Sequence, residues 1–235
     1  KCYVGFGFGP IQNALFLFEA SRSGRFSRYV VGEIDAALVW AVRDNGGAYT
    51  VNIARRDGIQ PVTIEGVELY NPRLPGDREE LLEAVESSDE MATALPSVDI
   101  YVAGGESSVV RLIRDGVALR AGPRPTVIYA AENHNHAAEI LTAHLAQEGC
   151  PDMQSLQALN TVIGKMSGVI SDGATIARLG LKTLTPKLER AVLVEEFNRI
   201  LVSQVRLPGY ERGIAAFVEK PDLLPFEEAK LYGHN

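Results

Sequence analysis

One short run restricts the fold of this chain more than any other. Gly7-Phe8-Gly9-Pro10-Ile11-Gln12 sits between an apolar stretch at residues 1–6 and an apolar helical pattern at residues 13–20. A polar, Gly-containing segment at 21–26 leads to a second apolar run at 29–34, with Glu33 near its end. Strand, glycine turn, helix, strand is a βαβ unit, which implies parallel strands joined by a right-handed crossover.

The same alternation continues. Residues 35–45 read as a helix stopped by Asn45-Gly46-Gly47. Runs at 49–54, 62–64 and 67–70, with a polar turn at 55–58, read as antiparallel hairpin structure inserted into an α/β pattern. Helices are expected at 78–87, 107–114 and 137–147, and buried strands at 98–103 and 126–131, with a last strand at 190–194. The expected fold is α/β: a Rossmann-like, doubly wound, mostly parallel sheet with inserted antiparallel strands. From Glu195 the character shifts towards helix and loop, punctuated by Pro208, Pro221 and Pro225. A boundary is therefore expected near residue 192, with 1–192 as the sheet domain and 193–235 as the start of a mainly helical one.

Composition removes several function classes. The 235 residues carry a net charge of −7 and no basic tract, so a nucleic-acid duplex or a membrane surface is a disfavoured partner. No apolar run is long enough to span a bilayer, and no signal peptide is visible. Two cysteines, Cys2 and Cys150, do not make a disulfide framework and point to a reducing cytoplasm.

The glycine run carries the first chemical reading. It fills a G-x-G-x-x-G slot with Gln12 in the third glycine's place. Gly7 permits a tight turn, Gly9 lets backbone approach a pyrophosphate, and Pro10, Ile11 and Gln12 open a helix whose amide-rich end favours that anion. The third position governs strand–helix packing, so Gln12 implies a slightly displaced helix. A carboxylate at Glu33 suits the adenosine ribose hydroxyls and repels a 2′-phosphate, which favours NAD over NADP. Gly104, after the expected strand at 98–103, would admit a second loop to the cofactor. Glu132 and Asn133 follow another strand end, where open α/β sheets bind ligands, although a solvated carboxylate and a turn former are equally good local readings. A ligand-free glycine turn is the alternative to the whole reading.

Several further stretches are notable: Gly47-Ala48-Tyr49-Thr50-Val51, Ala131-Glu132-Asn133, and Asn160-Thr161-Val162-Ile163-Gly164-Lys165-Met166. Val194-Glu195-Glu196-Phe197-Asn198 and Lys230-Leu231-Tyr232-Gly233-His234-Asn235 follow. Together with the glycine run and Glu33, in this order and spacing, they resemble the long-chain mannitol dehydrogenase family of polyol-specific dehydrogenases, nearest its mannitol-1-phosphate 5-dehydrogenase branch. The resemblance implies an NAD-dependent oxidoreductase interconverting a polyol or polyol phosphate with its ketose, its site lying between a Rossmann-like domain and a helical domain. It also implies roles: Lys230 as acid/base, Asn235 and Asn160 as donors to the reacting oxygen, and Glu196 as a group orienting the lysine. The family's motif continues with a His that would fall at position 238, so the chain is expected to be part of a longer protein. The pattern departs from the family at Gln12 and at Gly233-His234.

Local readings stand beside these. Lys230 in Glu-Glu-Ala-Lys also reads as a solvated helix cation, Asn160 as an N-cap, and Glu195-Glu196 as a surface pair. His134 and His136 alternate with Asn133 and Asn135, but no constellation completes a metal site, and none is expected. Arg206, Arg212 and Lys220 are candidate partners of a substrate phosphate or ordinary surface. A hexuronate reductase of the same family and a non-catalytic NAD-binding regulatory protein are the alternative functions.

Overall fold

A computed structural model describes residues 1–164, 166–196 and 200–220. The chain opens with β1 (Cys2–Phe6), the glycine turn, and a helix whose first part, Gln12–Phe16, is π-helical before it continues as α1 (Leu17–Ser23). β2 (Arg28–Gly32) and α2 (Ala36–Asp44) follow, then β3 (Tyr49–Arg55), β4 (Gly58–Ile64), β5 (Val67–Tyr70) and α3 (Pro75–Glu86). Next come β6 (Glu90–Thr93), α4 (Val109–Ala118), β7 (Thr126–Ala130), α5 (Ala137–Gln147) and β8 (Leu156–Val162). The last described elements are β9 (Ser167–Ile170), α6 (Gly173–Leu179), β10 (Ala191–Glu195), β11 (Ile200–Ser203) and β12 (Phe217–Lys220).

Two sheets result. The larger has the order β12-β11-β8-β7-β6-β1-β2-β5, and the smaller β4-β3-β10-β9. From β5 to β8 every neighbouring pair is parallel. Counted along the chain, those six strands follow the Rossmann order 3-2-1-4-5-6, whose direction reverses between β1 and β6. One core cluster joins the π turn, α1, α2 and the smaller sheet on one face; a second packs α3, α4 and α5 on the other. This doubly wound arrangement agrees with the expected fold class.

Local chemistry sets the element ends. Asp35 caps α2 by accepting from the Ala37 and Leu38 amides at 3.0 and 3.2 Å. Pro61 lies in β4, an edge strand, where its missing N–H costs no ladder bond.

Three expectations are corrected. The run at 98–103 is a 3-10 turn, Val98–Val102, started by Ser97 accepting from the Asp99 amide. The strand filling that place in the sheet is β6, only four residues long. Residues 67–70 leave the hairpin and pair parallel to β2, because the main sheet offers their buried Val67 and Leu69 a better face. The strand expected at 190–194 is present as β10, in the smaller sheet, parallel to β3 and antiparallel to β9. Residues after Glu195, expected as helix and loop, include two strands of the larger sheet: β11 pairs with β8 and β12 with β11, and Phe217 packs on Tyr129 and Phe16 at ring distances of 5.0 and 5.4 Å. Burying that ring ties residues 200–220 to the sheet.

The structure also answers how Gln12 replaces a glycine. Its side chain is fully buried and donates from Nε2 to the Tyr3 hydroxyl at 2.7 Å. It fills the space in front of Gly5 on β1, where an added Cβ would collide with the Gln12 amide. The small residue needed at the strand–helix crossing has moved from helix to strand. Gly5→Ala should therefore destabilise the protein by about 1–3 kcal/mol. Combined with Gln12→Ala it should cost clearly less than the sum of the two single changes in urea unfolding; additive costs would show that the two residues do not share this space.

Candidate nucleotide-binding site

The pocket lies where the strand order reverses, at the carboxyl ends of β1, β2 and β6. It is a cavity of about 610 Å³. The glycine turn and Asn13 form its floor, and Glu33, Ile34 and Asp35 one side. Ala94, Leu95 and Pro96, after β6, face them. Val169, Leu184, Arg190 and Val192 close it from the smaller sheet's side.

Gly7 has φ +82°, and its amide donates to the Gly32 carbonyl at 2.8 Å. A Cβ there would stand 2.9 Å from the Ala94 carbonyl, so both the conformation and the approach of β6 require glycine. At Gly9 a Cβ would meet nothing within 4 Å, leaving the backbone open towards the cavity. Asn13 N donates to Gly9 O at 2.9 Å, so the Ile11 and Gln12 amides precede the first intrahelical bond, while Pro10 has none to offer.

Glu33 turns towards this bend. Its Oε2 accepts from the Phe8 amide at 2.7 Å, and its Oε1 from the Ile34 and Asp35 amides at 2.7 and 2.8 Å. Three charge-assisted bonds fix the carboxylate, and a carboxylate has about four acceptor directions, so one remains on Oε2. Arg190, just before β10 of the smaller sheet, reaches Asp35 at 3.5 Å across the pocket rim. The cavity thus combines open glycine backbone, helix-end amides, a fixed carboxylate and apolar walls, which suits a nucleoside diphosphate.

The candidate residues divide. Gly7, Gly9, Pro10, Ile11, Glu33 and Gly104 all line the cavity, Gly104 from the loop after the 3-10 turn rather than from a strand end. Gln12 does not, since its side chain packs in the core. Glu132 is buried away from the cavity wall and binds the Thr93 hydroxyl and Leu95 amide, both at 2.9 Å, and the Tyr101 hydroxyl. It anchors the loop that forms the cavity's far side, and burial raises its pKa despite those donors. Asn133 is exposed and outside the lining. Asn160, on β8, accepts from the Ala138 amide at 3.0 Å and donates Nδ2 to both Glu139 oxygens at 2.8 and 3.0 Å. It caps α5 across space, with its amide donors engaged. Lys230 and Asn235 lie outside the described residues. Glu196 pairs with Arg55 at 3.2 Å, and Arg212 is occupied by Glu219 and the carbonyls of Ile214 and Phe217. Among the described residues, no group of three His, Cys, Asp or Glu side chains could hold a metal ion. No described helix is long and apolar enough to cross a membrane.

Sequence reasoning missed Asn13, Ala94–Pro96 and Arg190. Pro96 after Ala-Thr-Ala-Leu was a usable end-of-strand signal for the loop; Arg190 had none, because only tertiary packing brings it here.

No protein-family model and no curated protein sequence matches the chain. Solved structures do. D-sorbitol dehydrogenase, in substrate-free form, superposes with a TM-score of 0.77 at 12% identity, over 98% of this chain and 56% of its own. Mannitol 2-dehydrogenase of Pseudomonas fluorescens, in a ternary complex with NAD and D-mannitol, gives 0.72 at 12% identity, over 98% and 55%. Octopine dehydrogenase with NADH and agmatine gives 0.54 at 9% identity, over 94% and 49%. The chain shares the fold of part of these dehydrogenases and spans little more than half the length of the first two.

Because burial raises the Glu132 pKa above its ordinary 4.5, the stability linked to its protonation is full below that value and is lost as pH rises through the raised one. Urea midpoints measured from pH 4 to 8 should fall for wild type relative to Glu132→Gln as pH rises. A difference that is flat, or that grows in favour of wild type, would contradict the buried position.

Proposed function

We propose that this chain is the NAD-binding part of a polyol dehydrogenase that interconverts a polyol, or a polyol phosphate such as mannitol 1-phosphate, with the corresponding ketose. The observation that carries the reading is the Glu33 carboxylate bonded to the Phe8 amide inside the glycine turn, at the mouth of a cavity of about 610 Å³. The residues present fit a dinucleotide. Gly9 leaves backbone open, the Ile11 amide at the helix start would hold the pyrophosphate, and the spare Oε2 direction of Glu33 would take one ribose hydroxyl. The fixed negative charge disfavours a 2′-phosphate, which supports NAD. The fold shared with sorbitol and mannitol 2-dehydrogenases supports the polyol.

When bound, the nicotinamide supplies or accepts the hydride. The chain's own residues must move a proton and stabilise an oxyanion. On the family resemblance, Lys230 takes the proton from the alcohol in oxidation and returns it in reduction, and Asn235 donates its amide to the reacting oxygen. Asn160 would join them only by giving up Glu139.

Gly9→Ala should leave the melting temperature within about a degree of wild type, because its methyl meets nothing, yet weaken NAD binding at least about tenfold by calorimetry. Unchanged binding would overturn the site. In the full-length enzyme, Lys230→Ala should abolish NADH formation from a polyol while NAD binding persists. A hexuronate that turns over where mannitol, sorbitol and mannitol 1-phosphate do not would select the other branch.

A further inference from the structure

The stretch Gly47-Ala48-Tyr49-Thr50-Val51 takes no part in the site as described, yet Tyr49 touches it from behind. Tyr49 begins β3 in the smaller sheet and is fully buried. Its ring meets Phe8 of the glycine turn edge-on at 4.9 Å, and its hydroxyl donates to the Asn13 carbonyl at 2.7 Å. That carbonyl lies in the π turn. In an α-helix the Leu17 amide would bond Asn13 O; here it passes over it to Gln12 O, five residues back. Single π turns are uncommon, and a buried carbonyl stripped of its usual partner is costly unless another donor replaces it. The Tyr49 hydroxyl is that donor.

The register has consequences for the pocket. Returning the turn to α geometry would remove the one-residue offset and rotate residues 9–12 by about 100° relative to α1. The Ile11 amide would then point elsewhere, and Gln12 would leave its slot before Gly5.

We infer that Tyr49 is a positioning residue that holds the nucleotide-binding helix in π register and so aims its first amides at the diphosphate of the ligand. The inference rests on the nucleotide reading of the pocket, and it makes the smaller sheet a working part of that pocket. Tyr49→Phe keeps the ring on Phe8 and removes only the hydroxyl. Calorimetry of the wild type and this variant with ADP and with adenosine tests the assignment. The expected result is about a tenfold loss of ADP affinity with adenosine affinity nearly unchanged, because only the diphosphate depends on the aim of the amides. Equal losses for both ligands, or none for either, would overturn it. Should Tyr49→Phe not fold, hydrogen exchange of the wild type decides: ADP should slow the amides of residues 11–17 and of β3 around Tyr49 together, and slowing confined to the helix would overturn the coupling. Wild type that binds no ADP would overturn the nucleotide reading as well; wild-type binding with an unaltered variant overturns only the role of Tyr49.

Discussion

The hydrogen bond from the Phe8 amide to Glu33 Oε2, 2.7 Å long, ties the glycine turn after β1 to the end of β2. It joins the ends of the two strands that flank the pocket. The Ile34 and Asp35 amides hold the other oxygen, so the chain's own backbone fixes the carboxylate. Fixing a charged group beforehand removes an ordering cost from binding. It also leaves the carboxylate one further acceptor direction, which under the proposed function a single ribose hydroxyl would take.

The rest of the pocket is organised around that pair from three directions. Gly7 lets the Ala94 carbonyl come close and brings the loop after β6 opposite the turn. Glu132, buried at the end of β7, holds that loop through Leu95 and Tyr101. Arg190, just before β10 of the smaller sheet, stands at the rim, and Tyr49 of that sheet lies beneath the helix. Each contact joins elements far apart in sequence, so the pocket is a property of the assembled fold rather than of the glycine motif alone.

This explains how much was legible beforehand. Elements with strong local signatures could be read: the turn at 7–12, the helix capped by Asp35, and α5, whose observed bounds coincide with its apolar pattern. β6 escaped because four residues starting with a buried glutamate do not look like a central strand. The apolar residues at 98–103 looked like one but make a 3-10 turn, since the sheet position they would need is already filled by β6. Glu132 was found for its place at a strand end, yet its role follows from partners no spacing reveals. Gln12 was recognised as a departure from the fingerprint, while its compensation at Gly5 required the packed strand and helix.

The central claim is that the glycine turn and Glu33 hold an adenine dinucleotide. A crystal structure of the protein grown with NADH tests it most directly. The account predicts a pyrophosphate over Gly9 and the Ile11 amide, with an adenosine ribose hydroxyl on Glu33 Oε2. NADH bound elsewhere, or lying in the cavity with Glu33 out of contact with the ribose, would contradict it.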